Sequence, residues 1–543
     1  MRRNPERIQG HCPASIARLL SAVVLLSLPL RAGHSQGQPF VTIGSPAEDR
    51  LRIDQILGRA STDGYLLRTP SGMSARARSA PARWWVEVLS PELRSVWNSR
   101  IPFLHNDAAM WAGRGSSVLT RAGVRGGYGP VEIVLAPEVA YSQNRPFEIF
   151  PGRESGRSTF SSPWHLGEES ADLPLRFGDQ PWRVASLGQS SLTVHAGRVA
   201  FGASTESQWW GPGIRTAIVM SNNAEGIPHL FLRTARPLRT PIGPVEARWI
   251  VGGLTESLYF DTVASNDLRS FSGVVLALQP RGSHGLTVGL ARTVYGEASG
   301  RDVVFGRGAD ALLRWERLSD PGEADSTVRR DQLFSLFGRW VFPESGFEMY
   351  VEWARIELPR SLRDLMLAPQ HTQGFTLGLQ WIRPPAHPND AVLRLQFELS
   401  DLEQSIAFAD RPPPPDYFAG RATTHGYTQR GRVIGAAIGP GASSEWAAAD
   451  LVAPRWQVGL FGGRIRWEND ALYRQWVANY YRHDVSVFGG CRAGVRLRHL
   501  DLSGEFTAGL RMNYLFQNGI MNPGKRRTID ITNYTLALVL SPR

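Results

Sequence analysis

Residues Phe375 to Leu399 constrain the fold of this chain more than any other stretch. Phe375, Leu377, Leu379 and Trp381 alternate with Thr376, Gly378 and Gln380. After the turn-forming run Pro384-Pro385-Ala386-His387-Pro388-Asn389-Asp390 the alternation resumes. Leu393, Leu395, Phe397 and Leu399 are set against Arg394, Gln396, Glu398 and Ser400. A period of two means strand, because successive side chains point to opposite faces. One face is large and apolar throughout, and the other carries charge. That is the pattern of a transmembrane β-barrel, with lipid outside and a wet lumen inside. A soluble sandwich shows the same alternation, so the rest of the chain decides.

The N-terminus reads as an export address. Arg2, Arg3 and Arg7 precede the apolar run Leu19 to Leu30, and Gly33 and Ser35 suit a cleavage after Ser35. The run is too short for a spanning helix and fits a secretory signal peptide over residues 1–35. Cys12 precedes the apolar run, so it is no lipoprotein cysteine. The mature chain keeps only Cys491 and forms no internal disulfide. No later stretch is long and apolar enough for a spanning helix. A mean hydropathy of −0.22 then suits a membrane protein whose spans are strands, since half of each strand is polar. The formal charge is +11, and removing the leader's five arginines and one glutamate leaves +7. Lys525 is the only lysine. A GC-rich genome is the plain reading of that bias. The functional reading is bidentate binding of carboxylates or phosphates by guanidinium groups. Nucleic acid is not an expected partner of an exported barrel.

Ser45-Pro46-Ala47-Glu48 is a capping box with proline at the first helical position, and Ile53, Ile56 and Leu57 share one face of the helix that follows. Its end is expected near Gly58. Trp84 to Trp97 reads as a second helix broken at Pro91. Residues 36–115 are therefore expected to form a small, partly helical periplasmic segment, and 116–543 an outer-membrane antiparallel barrel. Val131 to Tyr141, Leu192 to Phe201, the alternations around Val245, Leu286, Phe347 and Leu502, and the closing run Tyr534 to Leu540 supply its strands. The count from pattern is roughly 16 to 18. Asp320 to Asp325 and the proline run after Arg411 read as loops. The chain ends Leu540-Ser541-Pro542-Arg543, without the terminal aromatic common in such barrels.

No metalloprotease, P-loop, nucleophile-elbow or paired-cysteine motif occurs, and the twelve histidines lack ligand spacing. No cofactor and no metal are expected. Glu348 with Glu352, and Asp501 with Glu505, have the composition of a glycosidase pair. The plainer reading is lumenal charge beside arginines. The densest local signal is Gln208-Trp209-Trp210-Gly211-Pro212-Gly213, followed by Arg215 and Ser221-Asn222-Asn223-Ala224. Adjacent tryptophans beside a tight turn suit stacking on sugar rings, and they equally suit an architectural turn. Gly426-Tyr427-Thr428-Gln429-Arg430-Gly431-Arg432, running to Gly441, puts Arg430 and Arg432 on one face if extended. It reads as an anion-contacting lumen wall or as a ladder pairing with acidic strands. Candidate polysaccharide contacts are thus Trp209, Trp210, Arg215, Tyr427, Arg430 and Arg432.

These segments resemble the Wzi family of capsule-assembly outer-membrane proteins. The resemblance rests on Trp209-Trp210-Gly211-Pro212-Gly213 with Ser221-Asn222-Asn223-Ala224, and on Asp364-Leu365-Met366-Leu367-Ala368-Pro369-Gln370-His371 leading into Phe375. It continues in Arg430-Gly431, Ile434-Gly435, Ile438-Gly439-Pro440 and His483-Asp484-Val485, and in Asn106-Asp107 with Trp111 and Gly113-Arg114-Gly115. It spans about residues 100 to 515. It implies an 18-stranded barrel with a small helical part on the periplasmic side. It also implies a non-enzymatic, lectin-like role in attaching or organising capsular polysaccharide at the cell surface; a distant member could handle another exopolysaccharide, and the arginine excess adds the expectation that the glycan is acidic. Outer-membrane lipids and the glycan are the expected partners, and a monomer the expected state. The competing expectation is a porin or transporter for small solutes, which requires an open lumen.

Overall fold

The computed structural model describes residues 40–60, 67–70, 73, 84–103, 105–150, 155–165, 170–298, 300–304, 306–315, 330–359, 361–387, 389–404, 416–475, 480–518 and 528–542. The expected leader, and the loops expected at Asp320–Asp325 and after Arg411, lie outside these residues. The chain forms a closed 18-strand antiparallel barrel. Each strand pairs with the next in sequence, and the last, Ile531–Pro542, closes on the first, Trp85–Asn98, with Leu93 opposite Leu540 and Asn98 opposite Thr535. Three wall strands are interrupted. Val131–Leu135 continues as Glu138–Ser142, Trp182–Ser186 as Ser191–Ala196, and His229–Thr234 as Leu238–Thr240. Full closure leaves no open sheet edge in the hydrocarbon.

The alternation read at Phe375 to Leu399 sits where it was expected. Gln373–Ile382 pairs with Val392–Asp401, placing Trp381 opposite Leu395 and Gln380 opposite Gln396. Leu377, Leu379, Trp381, Leu395 and Phe397 are exposed on the outer surface, while Arg394, Gln396, Glu398 and Ser400 are buried in the lumen.

Two expectations are corrected. Trp84 to Trp97 is not a helix but the first wall strand, Trp85–Asn98, so the wall begins inside the segment 36–115 that was expected to stand apart from it. Val86, Val88, Leu93 and Trp97 face outward. The pairing register slips between Leu89 and Glu92, so Pro91 is taken up at a bulge, where its missing N–H costs no ladder bond. Leu192 to Phe201 is two strands, not one. They meet at Gly197, whose φ of +63° turns the chain between Ala196 and Val199.

The connections sort the two ends of the barrel. At one end the turns are short, as at 129–130, 197–198, 343–346 and 453–455. At the other they are long, as at 143–181, 205–228, 298–330 and 402–442. The N-terminal helix, Pro46–Ile56, forms as its capping box specifies. Ser45 Oγ accepts from Glu48 N at 3.2 Å, and Glu48 Oε2 accepts from Gly44 N at 2.6 Å. It lies inside the lumen at the short-turn end. Ile53 and Ile56 pack on Val341, Ile382 and Val392, Arg52 pairs with Glu348, and Arg394 donates to Asp49 at 2.7 and 2.8 Å.

Leu395→Arg places a cation in lipid and is expected to cost about 2–4 kcal/mol near the bilayer midplane. Gln396 accepts from Arg492 at 2.7 Å and donates to Gln380 at 3.1 Å, so an arginine there would crowd Arg492 and Arg394. Gln396→Glu keeps the shape and is the proper lumenal control. Folding titrations into lipid vesicles should show the loss for Leu395→Arg alone. Equal effects would overturn the inside–outside assignment.

Candidate functional site

Two long connections turn back into the barrel and close it toward the long-loop end. The segment 205–228 brings in Trp210, Ile218, Val219, Met220 and Ile227, and the segment 402–442 brings in Tyr417, Phe418, Tyr427, Val433 and Ile434. They share one apolar cluster with wall residues Phe271, Tyr295, Phe337 and Trp446. Tilted and stacked rings set its geometry, with Tyr427 centred 5.1 Å from Tyr295 and 6.1 Å from Phe418.

The glycine-rich motifs make this packing possible. A Cβ on Gly213 would lie 1.8 Å from Thr216 O, and one on Gly435 would lie 2.1 Å from Ile218 O. Ser221-Asn222-Asn223 then staples the two segments together. Ser221 Oγ donates to Gly435 O at 2.6 Å, Asn223 Nδ2 donates to Val433 O at 2.9 Å, and Asn222 O accepts from Ala108 N at 2.8 Å.

Wall carboxylates hold the loop backbones from below. Glu398 accepts from Ile214 N at 2.6 Å and from Arg215 N at 3.2 Å. Glu352 accepts from Ile218 N at 2.9 Å, and Asp331 accepts from Thr423 N at 2.9 Å and Thr423 Oγ1 at 2.7 Å. Glu348 is held by Arg52 and by Arg339, the latter at 3.0 Å. Glu348 thus stands beside arginines, as the plainer reading has it, whereas Glu352 meets loop backbone instead.

The six sequence candidates do not converge on one surface. Trp209 is buried among Val41, Ile43, Met73 and Ala217, with the Arg68 guanidinium 4.5 Å over its ring. Trp210 is buried in the main cluster, and its Nε1 donates to Gln208 Oε1 at 3.0 Å. Tyr427 is buried, its hydroxyl donating to Val219 O at 2.8 Å. These three rings face protein atoms. Arg430 and Arg432 do not share a face, because Arg430 and Gly431 both take positive φ and break the extended alternation. Arg432 donates to Ala108 O at 2.6 Å and Met110 O at 2.8 Å, tying the 99–114 connection to the loops. Arg430 stays half exposed at 50% and pairs with Glu225 at 2.8 Å. Arg215 is partly buried, with its guanidinium 4.9 Å over the Trp446 ring.

Sequence reading missed Trp315 and Tyr481, large aromatics exposed at the long-loop end, with the Arg292 guanidinium 4.8 Å over the Trp315 ring. Trp315 lies beside Arg314 in a stretch without alternation, so no periodic signal marks it.

A model of the family described as capsule assembly protein Wzi matches residues 99–448. The chain belongs to the Wzi family. The solved structure titled as Wzi, an Escherichia coli outer-membrane protein involved in group 1 capsule assembly and a carbohydrate-binding β-barrel, resembles it with a TM-score of 0.52 at 9% identity, covering 83% of this chain and 84% of that one. The Pseudomonas aeruginosa barrels OpdQ and OprD align with TM-scores of 0.38 for both, at 8% and 10% identity, covering 84% and 86% of this chain and 97% and 95% of theirs. A search of curated protein sequences finds no match. The two-loop plug, the staple and the wall carboxylates of this Wzi-family barrel all fall inside the matched residues.

Among the described residues, Glu256, Asp261 and His425 are the grouping whose ligand-type atoms lie within 4.8 Å of one another. Arg157 stands 4.0 Å from Asp261 and supplies positive charge there. Glu256 Oε2 lies 2.5 Å from His425 Nε2, joining the 256–267 and 402–442 connections. Burial, and then the Asp261 charge, push the Glu256 carboxyl up to about 8. Burial, and then Arg269, push His425 down to about 3. Above pH 4.5 the folded state keeps a proton on Glu256 that the unfolded chain releases, so stability falls as pH rises to about 8. Between about pH 3 and 6.5 the unfolded chain protonates His425 and the folded one does not, so stability rises with pH. The two effects oppose one another between 4.5 and 6.5, and the net loss comes between 6.5 and 8. Glu256→Gln should flatten that loss, read as hydrogen exchange of the 256–267 connection. An unchanged pH profile would show that the carboxyl titrates elsewhere.

Proposed function

We propose that this Wzi-family barrel is a non-enzymatic outer-membrane protein that binds acidic capsular or exopolysaccharide at the cell surface. Outer-membrane barrels carry short turns on the periplasmic side and long loops outside, which puts the N-terminal helix at the periplasmic mouth and the plug toward the surface. The observation that carries the reading is a lumen closed by two stapled loops, beneath an outer end that presents Arg430, Trp315 and Tyr481 to solvent. A closed lumen speaks against solute passage, and arginine with aromatic rings suits an acidic glycan. Guanidinium–carboxylate contacts supply charge-assisted hydrogen bonds, and the rings supply apolar faces for sugar C–H groups. The carbohydrate-binding Escherichia coli barrel of like fold supports the same direction. Trp209, Trp210 and Tyr427 serve this function by holding the plug.

Binding of purified protein to an acidic capsular polysaccharide should weaken as salt rises without vanishing, since stacking is not screened. Arg430→Ala and Trp315→Ala should each weaken it severalfold while heat-modifiable gel mobility stays normal. Deleting the gene should release surface glycan into the medium without stopping its synthesis. Retained glycan together with lost uptake of a small solute would replace this reading with a porin.

A further inference from the structure

Beneath the plug lies a chamber of about 360 Å³, bounded by the N-terminal helix, the 99–114 connection, the 205–228 segment and the last wall strands. Its arginines are committed, with one exception. Arg52 pairs with Glu348, Arg94 with Asp107, and Arg121 with Glu92. Arg492 binds both oxygens of Asp450, at 2.7 and 2.5 Å. Arg215 differs. Its backbone is pinned, because Glu398 accepts from its N–H and its carbonyl accepts from Asn106 Nδ2 at 2.8 Å. Its guanidinium rests on Trp446 and has no hydrogen-bond or ion-pair partner among the described residues. Glu505 lines the same chamber and makes no hydrogen bond or ion pair among them, though its charge acts on Arg215 and Arg492 through space. The Glu505 and Glu398 carboxylates act on this partly buried guanidinium through space without bonding it, so its N–H donors are left for an anion that arrives from elsewhere.

We propose that the chamber is a binding site for a single pyranose carrying a carboxylate, a uronic-acid unit, which enters from the short-turn end. Its volume equals about a dozen waters' share of liquid, which suits one sugar ring and excludes a folded polymer segment. Arg215 takes the carboxylate, and the chamber's polar wall takes the hydroxyls. Toward the long-loop end the way is closed by the 105–110 stretch, held by Arg432 and Asn222. Toward the short-turn end a second cavity of about 1010 Å³ shares Thr42, Ser45, Glu92, Arg121, Gln457 and Ser503 with the chamber as lining. This site is separate from the surface contacts proposed above, and either stands without the other.

Calorimetry on the full protein in detergent, with glucuronate, glucose and inorganic phosphate as probes, tests the site. Glucuronate should bind one to one, and glucose and phosphate at least tenfold more weakly. Arg215→Gln should weaken glucuronate at least tenfold. Glu505→Gln, which removes the carboxylate charge facing the same space, should tighten it about threefold. Ser503→Trp should slow association at least tenfold by narrowing the shared wall. Arg430→Ala should leave glucuronate binding unchanged even where it weakens the polymer. The sugar assignment fails if glucose or phosphate matches glucuronate. The site fails if wild type does not bind, if Arg215→Gln binds normally, or if Glu505→Gln weakens binding. An unchanged rate in Ser503→Trp removes the entry route.

Discussion

Carboxylates on the inner wall that accept hydrogen bonds from loop backbone are the interaction on which the rest of this structure depends. A barrel wall alone leaves a lumen that water or loops must fill. Glu352, Glu398 and Asp331 direct their oxygens at the amides of residues 214, 215, 218, 422 and 423. A typical hydrogen bond of this kind contributes about 0.5–1.5 kcal/mol, and more where the acceptor is ionised. Without them the loop amides would be buried with no acceptor, which costs a comparable amount. Tyr350 completes the arrangement by donating to Glu398 at 2.7 Å.

Once the backbones are pinned, the apolar residues of the two segments meet, and the lumen acquires a core of its own. The arginine excess then divides into kinds. Arg52, Arg339 and Arg394 tie the N-terminal helix to the wall. Arg432 binds carbonyls and closes the outer side of the chamber. Arg430 pairs with Glu225 at the surface, and Arg215 rests on Trp446 within. A high arginine count therefore reports on architecture before it reports on ligands.

The wall was legible because its rule is local. Alternation at Phe375–Trp381 and Leu393–Leu399 fixes strand, face and neighbour together. The helix at Pro46–Ile56 was legible from its capping box. Its place in the lumen was not, since Arg52 and Glu348 lie far apart in sequence. Pro91 misled because a bulge absorbs a proline as readily as a helix end does. The candidate contacts were legible only as unusual residues. Trp209 and Trp210 beside Gly-Pro-Gly announce a constrained turn, but burial depends on what the 402–442 segment brings against them. Arg430 and Arg432 parted because a positive φ at a non-glycine residue, which alternation does not foresee, reverses the face.

Single-channel recording of the purified protein in planar bilayers tests the central claim, that two inward loops close the lumen, most directly. The account predicts no steady ion conductance from the wild-type barrel, and open-channel steps once Glu352→Gln and Glu398→Gln together free the 205–228 segment. Steady porin-like conductance from the unmodified protein would contradict it.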